Sequence, residues 1–438
     1  MFGYYLNLAL RSFRRNRAIT ALMVLTIAFG VAASMTAWSV FRAVSGDPIP
    51  WKSAQLFVPQ IDSWGTNGGN SDHEPPSAMS YIDATALMRD HKARLQSAIY
   101  QIAPSIVPPD AARHPVNVRG RAVFNEFFPM LDVPFAHGGG WAAADDANRA
   151  QVAVISRRLS EKLFGTDASV GRDLNIEGRS YRIVGVLGRW NPQPIFYDVV
   201  NSGGFDTDPD DIFLPFPTAI ANGIENQGNT NCYAPPAGTG FAGLQHSECI
   251  WIAYMAQLDD AAAVASYRSY LDSYANAQTA SGRFSWSPNN RLRNLHDWLL
   301  AQHVVPDDTR VSLLVALGLL LVCLVNTIGL LLAKFLRRSG EIGIRRALGA
   351  PRRQIYLQFL IEAGTVGVAG GVLGVLLTAL GVASVGWVMP PEIAPLARLD
   401  LPLLGLTLLV SVLATVLAGL YPTWRAAQVQ PAWQLKSN

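Results

Sequence analysis

Four stretches of the chain are almost unbroken apolar runs: positions 19–40, 311–332, 362–389 and 401–421. Each is long enough for a helix to cross a hydrocarbon core, which takes about 20 residues. Residues 44–308 differ, because their apolar positions fall into short alternating or helical patterns, as in a domain with its own core. The pattern predicts a membrane protein of four transmembrane α-helices, with a large α+β extracytoplasmic domain inserted between spans 1 and 2. The expected segments are an amphipathic helix (1–18), span 1 (19–43), the inserted domain (44–308), span 2 (309–333), a basic loop (334–360), span 3 (361–389), a short loop (390–400), span 4 (401–421) and a tail (422–438).

Within the inserted domain, residues 80–91 have helical spacing, with Tyr81, Ala84, Leu87 and Met88 on one face. Residues 97–106 read as a strand, 114–123 alternate, and 125–131 form a short helix or turn. Val152-Ala153-Val154-Ile155 is a buried strand, Ser156 a helix N-cap and Gly165 the stop of that helix. Strands at 171–176 and 181–186 meet at the hairpin signal Glu177-Gly178. Residues 191–243 read as irregular loops around one strand at 211–215. A strand at 250–258 and a helix at 261–276 follow, and 295–305 reads as a helix leading into span 2.

Charge orients this plan. Arg11, Arg14, Arg15 and Arg17 precede span 1 with no acid among them. The loop after span 2 carries Lys334, Arg337, Arg338, Arg345, Arg346, Arg352 and Arg353, opposed within the loop only by Glu341. Residues 44–308 hold 19 Lys and Arg against 28 Asp and Glu. Basic residues near span ends resist translocation, so both termini are expected in the cytoplasm and the inserted domain outside, in a bacterial cytoplasmic membrane. The net charge of +3 hides this split and gives no reason to expect a nucleic-acid partner. Residues 11–34 also have the layout of a signal peptide, but the apolar run continues to Val40. Phe2, Tyr5, Leu6, Ala9 and Phe13 share one helical face before it. An uncleaved anchor behind an interfacial helix is the expectation.

Cys323 falls within span 2 and reads as a small buried apolar residue. Cys232 and Cys249 lie outside, in an oxidising compartment, and are expected to form a disulfide worth roughly 3 kcal/mol; two unpaired thiols are the alternative.

Catalytic constellations are missing from the sequence. It contains no Gly-Lys dipeptide and therefore no P-loop. His137-Gly138-Gly139-Gly140 lacks an accompanying nucleophile elbow and reads as a flexible turn. His246, Glu248 and Cys249 lack a second ligand pair, and Asp206, Asp208, Asp210 and Asp211 lack the Gly and Glu of a calcium loop; a solvated acidic loop is expected there. The spans carry one acid, Glu362, placed at the start of span 3 within reach of water. Charged groups at mid-membrane, which mark solute pathways, are absent from the sequence of the spans. Gly367 and Gly371, like Gly370 and Gly374, are four apart and read as close helix packing, within or between subunits.

The basic loop contains more than a turn needs. Residues 341–348 can form two helical turns, Gly349 stops them and Pro351 opens the next helix. Glu341, Ile344, Arg345 and Leu348 share a face, which suits a cleft on a protein partner; a basic loop lying on anionic membrane lipids is the blander reading.

These residues resemble the MacB/FtsX-like permease family of ABC transporters. The likeness rests on Glu341 to Ala350 (EIGIRRALGA), Arg353-Gln354-Ile355 and Glu362 before a glycine-rich span. It also rests on Tyr421-Pro422, Arg425-Ala426-Ala427 and Pro431, on Ala9-Leu10-Arg11-Ser12, on 151–165 with Gly171, and on 181–186. The resemblance implies a permease that pairs as a homodimer or with a sister subunit. It would be driven by a cytoplasmic ABC ATPase that docks on Glu341, Ile344, Arg345, Arg346 and Leu348. ATP and Mg would be bound by that ATPase, on a separate polypeptide, and no cofactor by this chain. The outside domain would move to export or extract a peptide, antibiotic or lipoprotein, with a periplasmic adaptor and outer-membrane channel as further partners. The other function it implies is an FtsX-like scaffold that activates a cell-wall hydrolase. Residues 191–249 depart from the family pattern.

Overall fold

The computed structural model describes residues 2–15, 17–65, 73–110, 114–206, 208–236, 238–388 and 397–428; the side chains of Phe2, Tyr4, Leu6, Leu10, Arg14, Arg15, Val388, Ala426 and Ala427, with Pro431 and most of the 390–400 loop, lie outside that description. Two compact units emerge, one from 1–46 with 305–438 and one from 47–304.

The first unit holds four helices long and apolar enough to cross a membrane. They are Arg17–Ser45, Asp307–Leu336, Arg352–Val388 and Leu401–Ala427. The first packs against the second and third, and the third against the fourth. Small residues set the closeness of these contacts. A Cβ on Gly367 would lie 2.1 Å from Thr415 Oγ1 and 2.9 Å from Val412 Cα. Ser411 Oγ donates to Gly367 O across the same contact at 2.8 Å. Gly370 faces Ile27, Gly371 faces Leu408 and Ser411, and Gly374 faces Ala28. All four glycines therefore serve helix contacts inside one subunit. Gly367→Val is expected to cost about 1–3 kcal/mol or more through overpacking against backbone. The check is thermal aggregation of the detergent-solubilised chain, which should begin several degrees lower.

The N-terminal helix Phe2–Arg15 is more than an interfacial float. Tyr5, Ala9 and Ser12 are buried, and the helix packs on the third span.

The second unit is built on one mixed sheet. From edge to edge its main path runs Arg291–Asn294, Leu56–Gln60, Ile250–Gln257, Leu95–Ile102, Gly120–Val123, Ile212–Pro215, Val152–Ile155, Arg179–Leu187, Asp173–Ile176, Ser105–Val107 and Val116–Asn117. Two neighbours are parallel, Val152–Ile155 with Arg179–Leu187 and Gly120–Val123 with Ile212–Pro215; the other pairings are antiparallel. Successive side chains of a strand point to opposite faces, so the central strands feed two cores while edge strands such as Asp173–Ile176 feed one. Ala153 and Ile155 enter one with Tyr100, Trp251 and Phe216; Val154 enters the other with Phe127, Phe128 and Phe213. Ser156 accepts from Leu159 N and Gly165 ends the helix Arg157–Phe164 at φ 71°.

Several readings need correction. Residues 97–106 are two strands, since Pro104, which cannot donate to a sheet ladder, lies between Leu95–Ile102 and Ser105–Val107. Residues 191–243 also hold the short helices Val199–Ser202, Phe216–Ala221 and Gly240–Gln245. His137 and Gly138 do not sit in a flexible turn; they belong to the strand Phe135–Gly138, paired with Arg179–Leu187. Bare glycines allow that approach, because a Cβ on Gly185 would stand 2.2 Å from Gly139 O. The helix Leu295–Ala301 does not run on into the second span. His303 adopts φ 50°, and a residue that precedes a proline, as Val305 does, is disfavoured from continuing a helix.

Of the acidic residues expected in a solvated loop, Asp208 is exposed, but Asp206, Asp210 and Asp211 are not simply solvated. Asp206 pairs with Arg119, Asp210 with Arg119 and Arg121, and Asp211 with Arg158. Arg121 is wholly buried and meets Asp198 at 2.9 Å and Asp210 at 3.1 Å. Burial pushes the Asp198 carboxyl up to about 6, against the lowering effect of Arg121. Glu248 accepts from Nε and Nη2 of Arg283, each at 2.7 Å, and Asp83 accepts from Nη1 and Nη2 at 2.7 and 2.9 Å.

Cys232 and Cys249 are joined by a disulfide across 17 positions, beside the Asn231–Ile250 bridge that closes the same loop. Reduction is expected to cost the second unit roughly 3 kcal/mol. Thiol alkylation of the native chain should leave both sulfurs unlabelled until a reductant is added; free labelling would contradict the bond.

Candidate coupling site

The basic segment between the second and third spans is a short helix, Ser339–Ala347, set between two much longer ones. Its end is local chemistry. Gly349 takes φ 97°, which a residue with a Cβ resists, and Gly349 N and Ala350 N return to Arg346 O and Arg345 O. One side of the helix is anchored. Ile342 is buried in a cluster with Met23, Leu331, Phe335, Ile355, Phe359 and Ala363. Arg345 Nη1 reaches Gln358 Oε1 on the third span at 2.9 Å, and Glu341 pairs with Arg338 at 3.3 Å.

The other side is open. Ile344 is 63% exposed and Leu348 84% exposed, one helical turn apart. Of the residues singled out from sequence, Ile344 and Leu348 thus form an exposed apolar face. Glu341 and Arg345 are tied to the chain's own helices, and Arg346 is half-buried on the last helical turn.

Glu362, expected at the start of span 3 within reach of water, is instead enclosed, and from outside the loop it adds a second acid to the Glu341 that opposes the loop's cations. Glu362 is 1% exposed, and three groups from three segments converge on it. Lys334 Nζ, at the end of the second span and itself buried, lies 2.7 Å from Oε1. Arg338 Nη1 lies 3.1 Å from Oε2. The Ser12 hydroxyl of the N-terminal helix donates to Oε1. Lys334 also contacts the Thr20 hydroxyl at 3.3 Å and sits over the Phe13 ring. Such a cluster withstands burial because every charge has a hydrogen-bonded counter-charge. The available signal was the spacing of Lys334 and Arg338, one helical turn apart at one span end, facing the single acid of the next span.

Four membrane-length helices, with an α+β domain inserted in the chain between the first and second and a basic helix-bearing loop before the third, define a permease-type membrane protein. The profile of the MacB-like periplasmic core domain matches residues 20–274, and that of the FtsX-like permease C-terminal region matches 313–431. The chain belongs to the MacB/FtsX-like permease family, and its inserted domain is of the periplasmic core type. Among its relatives is the macrolide export ATP-binding/permease protein MacB of Syntrophobacter fumaroxidans, 24% identical over 99% of this chain and 64% of that protein. MacB of Rhodospirillum rubrum is 27% identical, over 100% and 61%. The pyoverdine export ATP-binding/permease protein PvdT of Pseudomonas syringae pv. syringae is 25% identical, over 97% and 58%. The chain thus spans about three-fifths of the length of these relatives. The solved periplasmic region of MacB from Actinobacillus actinomycetemcomitans aligns with 12% identity and a TM-score of 0.37, over 59% of this chain and 96% of that one.

Proposed function

We propose that the chain is the permease part of an ATP-driven transporter of the mechanical kind. A cytoplasmic ABC ATPase binds Ile344 and Leu348, and its closure and opening on ATP and Mg move the inserted domain outside, where cargo is handled. The observation that carries the reading is the aliphatic pair left exposed on a helix whose other face is fixed to the membrane unit. Among the described residues, the buried acid of the spans, Glu362, is held by Lys334 and Arg338, which lends no support to a charged solute path. ATP hydrolysis would come from outside these 438 residues, which contain no P-loop. The relatives described above are named as exporters of macrolides and pyoverdine, which favours export over a hydrolase-activating scaffold. Cargo would be a peptide, antibiotic or lipoprotein. The active unit would be a pair of such permeases, with a periplasmic adaptor and an outer-membrane channel as further partners.

The test is distance measurement between spin labels on the inserted domains of two copies, in the complex with ATPase. Trapping ATPase with ATP and vanadate should shift the distance distribution by several ångströms. An unchanged distribution in a complex that hydrolyses ATP would contradict mechanical transmission.

A further inference from the structure

We infer that Glu362 is the positioning residue of the coupling helix: its carboxylate sets where the Ile344/Leu348 face points by holding Arg338, which in turn holds Glu341. The inference rests on the docking role proposed above. It adds the internal device that would carry force from the docked helix into the spans.

The geometry is a chain of charges. Glu362 belongs to the third span, and Arg338 sits in the two-residue hinge between the second span, ending at Leu336, and the helix beginning at Ser339. Arg338 uses Nη1 on Glu362 and Nε on Glu341, so one guanidinium joins the third span to the first turn of the coupling helix. Its planar, fixed fork makes this a directional link that a lysine cannot reproduce. Arg338 Nη1 also lies 3.3 Å from Ser12 Oγ, which brings the N-terminal helix into the same cluster. Lys334 pins the other oxygen of Glu362 and balances its charge.

Hydrophobic anchoring alone does not fix the helix. Only Ile342 and Gly343 of Ser339–Ala347 are buried. A single aliphatic pivot lets a nine-residue helix roll or fray, since short helices are marginal without tertiary contacts. Arg338 at one end and the Arg345–Gln358 bond at the other remove that freedom. Two cations and two carboxylates make the cluster neutral, so it can reside at a low-dielectric helix junction and still break as a unit when the helix is pulled.

The test is amide hydrogen exchange of the purified full-length chain in lipid nanodiscs, without ATPase. Glu362→Gln keeps the shape and removes the charge. Arg338→Gln leaves the buried Lys334–Glu362 pair in place and serves if the first variant folds poorly. In both, exchange in 339–348 should become roughly tenfold faster or more, the effect of losing one charged hydrogen bond. Glu362→Asp should restore much of the protection, because it keeps the charge. Exchange in 17–45 and 401–425 should stay at wild-type rates. Unchanged exchange in 339–348 in both variants overturns the inference. Equal loosening of the spans also overturns it, because the cluster would then be general packing. Neither result depends on the partner. If ATPase fails to bind the wild-type chain, the docking reading falls while the exchange result stands on its own.

Discussion

Exchanging Ile344 and Leu348 together for aspartate is expected to abolish retention of an ABC ATPase by the chain while leaving it folded in the membrane. Both side chains are mostly in solvent, so their removal costs the fold little. Seating an aliphatic side chain in a partner's cleft contributes about 1.5–3 kcal/mol, so losing two costs the complex at least a hundredfold in affinity. An unpaired carboxylate forced into the same cleft adds a further desolvation cost. Co-purification of the ATPase after mild solubilisation reads the effect. Ile342→Asp serves as the contrast, because Ile342 is buried in the helix's own anchor and its loss should lower the yield of folded protein. Undiminished ATPase recovery with the double variant would contradict the docking face.

The second large effect lies in the inserted domain. Arg121→Met should destabilise it by about 3–5 kcal/mol, the cost of leaving the buried Asp198 without its counter-charge while Asp210 keeps only Arg119. For a domain of this size the melting midpoint should fall on the order of 10 °C, followed by tryptophan fluorescence of the full-length chain. The deficit should depend on pH in a definite direction. Asp198 already has its carboxyl raised to about 6 with the guanidinium beside it, and Arg121 acts to lower it. Removing Arg121 raises it further. An acid whose folded value lies above its unfolded one favours the folded state below the unfolded value, and that advantage is lost as pH rises through the folded one. The variant should therefore recover part of its stability between pH 7 and pH 5. A pH-independent deficit would mean that lost packing, not charge, is responsible.

What the sequence could and could not reveal divides along the range of the interactions involved. The strand Val152–Ile155 with its Ser156 cap and Gly165 stop is written in adjacent residues, and so is the helix ended by Gly349. Apolar length alone marks the spans. By contrast, Glu362 meets Ser12 from 350 positions away, and no local pattern announces that meeting. Arg121 finds Asp198 and Asp210 only once Gly120–Val123 has paired with Ile212–Pro215. Read one residue at a time, those aspartates belong to a polar loop. Likewise the glycine-rich step at Gly138 looks like a turn until Gly185 is brought against it. The helix Ser339–Ala347 shows the same division: its existence and the aliphatic half of its open face are legible, but not the ties of Glu341 and Arg345 to the chain's own residues nor the buried carboxylate beneath it.

Site-specific photocrosslinking from position 348 tests the central claim most directly. A photoreactive amino acid at Leu348, activated in intact cells, should give an adduct whose mass and peptides identify an ABC ATPase, and the same probe at the buried Ile342 should give none. Adducts formed only with lipid or with extracytoplasmic proteins would contradict the account.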